Sequence, residues 1–132
     1  MHPLLGREEV AYPEPTSLPR RVVVTGSSGS IGTALCAALE ERGCEVARFD
    51  LDRPGGDVVK TPIILRDAVW AWSPTIVYHL AADKHAPMGE DDPEAVTRVN
   101  VDGTLNAVRA AEDCGSRVIL ASTCKAAAPE TV

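Results

Sequence analysis

The chain has 132 residues, 45% of them hydrophobic, with 13 Lys and Arg against 19 Asp and Glu and a formal net charge of −6. That length predicts one domain and argues against a complete two-domain enzyme. The acidic balance argues against nucleic acid as the main partner, because phosphates need a basic face; no apolar run approaches the roughly 20 residues of a membrane span, and no basic flank followed by an apolar core marks a secretory signal.

Residues 1–20 carry Pro3, Pro13, Pro15 and Pro19. Proline removes a backbone donor and fixes φ, so this stretch reads as an extended arm ahead of a folded domain at 21–132. Arg21 to Thr25 is a short β-branched run bounded by glycine, a buried strand. The loop Gly26-Ser-Ser-Gly29-Ser-Ile-Gly32 follows. Ile31, Ala34, Leu35, Ala38 and Leu39 then recur at helical spacing, with Gly43 as the stop. Glu45 to Phe49 is a second strand ending at Asp50-Leu-Asp52, and a turn at 53–56 precedes a candidate short third strand, Asp57 to Lys60. Arg66 to Trp72 is predicted helical and Thr75 to Leu80 a strand. Pro93 to Cys114 is a long helix, its start favoured by the acidic run Glu90-Asp-Asp92. Arg117 to Ala121 is a last strand. Alternating strands and helices imply an α/β fold: a doubly wound parallel sheet of about five strands with helices on both faces.

The first strand, turn and helix carry the sharpest chemistry. Free N–H groups at a helix start, aimed at the carboxyl end of a strand, form an anion site for a diphosphate. Gly26 permits the tight turn, Gly29 lets phosphate approach the backbone, and Gly32 lets the helix sit close to the sheet. Ser28, Ser30 and Ile31 complete the expected cofactor loop. A glycine-rich turn with no ligand is the plain alternative, but the strand before, the helix after and the acid at the next strand end favour a dinucleotide. That acid, Asp50, lies 24 residues after Gly26, where a carboxylate accepts both ribose hydroxyls; this favours NAD over NADP. Arg48 and Arg53 lie nearby and soften the exclusion. Asp57 and Val58 are expected at the adenine edge if the third strand forms.

Other candidates have simple readings. Cys36, Cys44, Cys114 and Cys124 show no C-x-x-C spacing and read as free thiols of a reducing compartment, which predicts a cytoplasmic chain without a metal site. His79 at a strand end reads as a packed, hydrogen-bonded histidine. Trp70 and Trp72 are expected to cover the sheet or a subunit contact.

Val22 to Gly32 and His79-Leu-Ala-Ala82 resemble the extended short-chain dehydrogenase/reductase superfamily, whose cofactor domain is the Rossmann fold. Four further stretches resemble the nucleotide-sugar 4,6-dehydratases of bacterial polysaccharide biosynthesis. Leu4-Leu-Gly-Arg7 is similar to the segment ahead of the catalytic domain in long, membrane-anchored members. Lys84-His-Ala-Pro87 resembles their Lys-His-Val-Pro signature, Pro93 to Thr104 their Asn-Val-x-Gly-Thr helix, and Ser122-Thr-Cys-Lys-Ala126 their Ser-Thr-Asp-Lys-Ala strand end.

The resemblance implies roles residue by residue. Ala81 and Ala82 pass close to the cofactor, Lys84 lies near its ribose or phosphate, and Asn100 braces the sheet near the nicotinamide end. Thr123 matches the hydroxyl that contacts the sugar, and Lys125 the base that takes the C5 proton. The implied reaction sends hydride from sugar C4 to NAD, loses water across C5 and C6, and returns hydride to C6; a lysine base for it needs a lowered pKa. Two departures stand out. Cys124 replaces the acid that helps expel the C6 hydroxyl, and the expected tyrosine would fall at position 133. The chain is therefore expected to be a cofactor-binding fragment, inactive by itself, that meets a UDP- or dTDP-sugar only in the complete enzyme. A non-catalytic nucleotide-binding or scaffold protein is the alternative. An exposed sheet edge beyond the last strand predicts a homo-oligomer, most simply a dimer.

Overall fold

A computed structural model describes residues 20–53, 56–83 and 91–122. The expected arm at 1–19, Lys84 and the strand-end residues Thr123, Cys124 and Lys125 lie outside the described residues.

Four parallel strands, β1 (Arg21–Thr25), β2 (Glu45–Phe49), β3 (Ile76–His79) and β4 (Arg117–Leu120), are ordered β2-β1-β3-β4. Val22, Val23 and Val24 are fully buried. β1 is thus covered on both faces, which is why its sequence is a continuous β-branched run rather than an alternating one. Helix α1 (Ser30–Glu41) covers one face, setting Cys36 and Leu39 against Val22, Val24 and Cys44. Helices α2 (Pro62–Trp72) and α4 (Gly103–Asp113) cover the other, where Leu65, Val69, Ala110 and Ala111 close over Val23, Val77 and Phe49. The doubly wound expectation holds.

Three details differ. Asp57 to Lys60 is not a strand, so the described sheet has four strands instead of about five. One Asp57 carboxylate oxygen accepts from the N–H groups of Val59 (3.0 Å) and Lys60 (2.9 Å), and the Thr61 N–H closes on the Asp57 carbonyl (2.9 Å). A side chain that satisfies its own downstream amides favours a turn over a ladder. Helix α2 begins at Pro62, four residues before the expected start. Proline suits a first helical position, while Ile63 (72% exposed) and Ile64 (53%) face outward and hide the apolar period. The long helix is α3 (Pro93–Thr97), a π-helical turn (Arg98–Asp102) and α4 in succession. The Asp92 carboxylate caps α3 through the Ala95 N–H at 3.0 Å, as the acidic start predicts.

Of the tryptophans, Trp72 packs partly against the core with the Arg21 guanidinium 5.3 Å from its ring, while Trp70 is 62% exposed.

Candidate functional site

The chain leaves β1 toward β2 on one side and returns to β3 on the other. Loops diverge at such a switch point, leaving a crevice outside the carboxyl ends of the strands. The predicted residues Gly26 to Gly32, Asp50 and Ala81 all lie there.

Gly26 has φ +69°, and a Cβ on it would sit 2.7 Å from the Ala81 nitrogen. Only glycine lets the two loops meet at this point. A Cβ on Gly32 would collide with the Gly26 carbonyl and sit 2.8 Å from the Ser27 Cα, so the start of α1 is pressed onto the loop. At Gly29 a Cβ would meet only the Gly26 carbonyl at 3.4 Å, which leaves the outer side of the loop open to approach. Gly29 is the N-cap and provides no side-chain cap. The first intrahelical bond runs from the Thr33 N–H to the Gly29 carbonyl at 2.8 Å. The opening N–H groups of α1, at Ser30, Ile31 and Gly32, therefore precede the helical ladder and point toward the crevice. Ile31 is 62% exposed at its mouth.

Asp50 leaves the end of β2 and reaches this loop. Its Oδ2 accepts from the Ser28 N–H at 2.8 Å and its Oδ1 from the Leu51 N–H at 2.7 Å. An ionised carboxylate accepts about four hydrogen bonds, so both oxygens retain capacity for hydroxyl donors. Asp52, which sequence reasoning passed over, accepts from the Ser28 hydroxyl through both oxygens at 2.9 Å. Arg48 turns away: its guanidinium pairs with Glu40 at 2.6 Å, so it does not stand beside Asp50 as an anion-binding group.

Ser27 is the second residue that sequence reasoning missed. It is buried in the cradle, and its hydroxyl is the one buried side-chain polar atom among the described residues without a hydrogen-bond partner. A buried orphan hydroxyl is costly unless something satisfies it. With an open Gly29, unladdered amides and a carboxylate at the next strand end, the cradle fits a dinucleotide's diphosphate and ribose.

Beyond β3 the chain runs past the crevice as Ala81, Ala82 and Asp83. Asn100, in the π turn, grips the last of these with both ends of its amide: Nδ2 donates to the Asp83 carbonyl (3.0 Å), and Oδ1 accepts from the Asp83 N–H (2.8 Å). It braces the loop. Asp57 and Val58 follow Gly56, which lies against the Asp50 backbone, and the Val58 side chain is buried in the core. The Asp57 carboxylate is engaged in its turn, and the Val58 carbonyl accepts from Asn106 Nδ2 at 2.8 Å. His79 is buried and hydrogen-bonded at both nitrogens, to Thr25 and Thr104, and burial pushes its imidazole below the ordinary histidine value. No metal-holding group of side chains occurs, and no helix is long and apolar enough to cross a membrane, among the described residues.

The family model described as "NAD dependent epimerase/dehydratase family" matches residues 22–132. The chain is 31% identical to the probable polysaccharide biosynthesis protein EpsC of Bacillus subtilis, over 98% of this chain and 26% of that protein. It is 28% identical to the capsular polysaccharide biosynthesis protein CapD of Staphylococcus aureus, over 86% of this chain and 23% of that protein. The chain thus spans about a quarter of the length of these curated relatives. Among solved structures, the UDP-glucose 4-epimerase of Thermus thermophilus in complex with NAD superposes with a TM-score of 0.70 at 32% identity, covering 78% of this chain and 37% of that one.

Proposed function

The chain belongs to the NAD dependent epimerase/dehydratase family, and on that premise we propose that it is the dinucleotide-binding part of a nucleotide-sugar 4,6-dehydratase or epimerase of polysaccharide biosynthesis. The observation that carries this reading is the cradle itself: glycine loop, uncapped α1 start and Asp50 meeting at one switch point.

In this reading Gly26, Ser28, Gly29, Ser30, Ile31 and Gly32 hold the diphosphate against the helix start. Asp50 takes the adenosine ribose hydroxyls. Asp57 and Val58 border the adenine from a turn in place of the expected third strand. Ala81 and Ala82 leave room for the second ribose, Lys84 offers a cation to it or to the phosphates, and Asn100 fixes the path of their loop. Thr123 and Lys125 serve the sugar, the lysine as the proton acceptor. Bound NAD would supply hydride acceptance and return; the protein's part is to orient, desolvate and hold charge.

NAD is the preferred coenzyme. Two carboxylates, Asp50 and Asp52, converge on Ser28 where a 2′-phosphate would come, and Arg48 is occupied by Glu40. In this reading the chain binds coenzyme and associates with a second copy. Cys124, standing where the resemblance expects an acid, favours a second reading as a non-catalytic nucleotide-binding partner. Calorimetric titration with NAD and NADP tests the main reading. Binding of NAD about tenfold or more tighter than NADP is expected; no heat and no thermal shift with millimolar NAD would overturn it.

A further inference from the structure

Granted the dinucleotide site proposed above, we propose that His79 is its buried positioning residue, holding residues 81–83 along the crevice from both ends through a single directed chain of hydrogen bonds.

The direction follows from counting protons. The Thr104 hydroxyl donates to the Asn100 main-chain carbonyl at 2.6 Å. Its proton is spent, so toward His79 Nε2, 3.1 Å away, it can only accept. Nε2 therefore carries a hydrogen. In a neutral ring Nδ1 is then bare, and it accepts from the Thr25 hydroxyl at 2.7 Å. The Thr25 oxygen, having donated, accepts from the Ala81 N–H at 3.3 Å. One sequence of donors results: Ala81 to Thr25 to His79 to Thr104 to Asn100. Asn100 in turn grips Asp83 with its side-chain amide. The segment 81–83 is tied at its start through Thr25 and at its end through Asn100, and both ties converge on one imidazole. Ala81 is also the residue pressed against Gly26, so the same chain sets how closely the two lips of the crevice approach.

Every donor and acceptor is satisfied only with the Nε2–H neutral ring. A second proton on Nδ1 would face the Thr25 hydroxyl, which would have to surrender its own bond. The groups facing the ring are hydroxyls, Thr25 from β1 and Thr104 from α4, while Ala121, just after β4, gives its N–H to the His79 carbonyl. Burial is the single cause of its lowered pKa, with no charged side chain contributing. Such a network orients without touching the ligand.

Two measurements on the 132-residue chain test this. The first is a long-range proton–nitrogen correlation spectrum of the histidine rings at pH 7.5. His79 is expected as the Nε2–H form; an Nδ1–H form would overturn the inference. The second is NAD affinity by calorimetry for wild type, Thr25→Val and Thr25→Ser, with thermal midpoints recorded in parallel. Thr25→Val is expected to bind NAD about tenfold more weakly, the equivalent of one neutral hydrogen bond, and Thr25→Ser to stay within about twofold of wild type. A folded Thr25→Val with wild-type affinity, or a serine variant as weak as the valine, would overturn the positioning role while leaving the cofactor site standing. Wild type failing to bind NAD would instead remove the cofactor site itself, and the positioning role with it. If Thr25→Val does not fold, Thr104→Val against Thr104→Ser makes the same comparison at the other end of the relay.

Discussion

At Gly26 two demands coincide: a backbone in the left-handed region and no room for a side chain against Ala81. Gly26→Ala is therefore expected to lower unfolding stability by about 2 kcal/mol, measured by urea denaturation, and a fall under about 0.5 kcal/mol would count against the close approach. Asp50→Asn removes the charge facing the loop and replaces one acceptor with a donor aimed at the Ser28 N–H or at the ribose. It should weaken NAD about tenfold or more and narrow the gap to NADP, read by calorimetry. His79 sets a pH dependence. Its folded-state pKa is lowered, so the unfolded chain takes the proton first, near the ordinary value of about 6.5. Where the unfolded state binds more protons, stability rises with pH. This contribution is complete above that value and is lost as pH falls below it. The urea midpoint of wild type should drop between pH 7.5 and 5.5, and His79→Gln, already less stable, should drop by less across that window. Much of the site was legible because glycine spacing and a strand-end acid are local signals. Thr25, Ser27, Asp52 and Thr104 were not, since their importance arises from contacts across elements that spacing does not encode.

At the scale of elements, β1 bears the core: Val23 is fully buried and faces α2 and α4. Val23→Ala is expected to cost about 2 kcal/mol, and a near-neutral effect in urea denaturation would contradict its place under both helices. The charged pair Arg66–Asp113 joins α2 to α4 across an open surface. Its removal should change stability by about 1 kcal/mol at most. β1 was readable as a run of β-branched residues, and the acidic start of α3 as a cap. Two features were hidden. Asp57 builds a turn where Val58 and Val59 suggest a strand, because its carboxylate accepts from the amides of Val59 and Lys60. The π turn at Arg98–Asp102 has an unbroken helical sequence around it, yet it is where Asn100 engages Asp83; π turns recur at functional places for such reasons.

At the scale of the whole molecule, the described sheet ends at β4, where Ile119 and Leu120 are 42% and 48% exposed, and the π turn and α4 add Val101 and Leu105 to the exposed apolar surface. An edge that no described residue covers, with apolar neighbours, favours pairing. Light scattering at high concentration should give a dimer mass for the 132-residue chain, and a monomer mass would contradict self-association. More locally, the proposed site is one where the amides opening α1 and the carboxylate of Asp50 together receive a dinucleotide. A titration of the ¹⁵N-labelled chain with NAD, followed by amide chemical shifts, addresses it most directly. The largest shifts should fall on Ser28 to Thr33 and on Leu51, with saturation at a single affinity. Shifts that are absent, or confined to the groove between α2 and α4 lined by Pro62, Arg66 and Arg109, would contradict it.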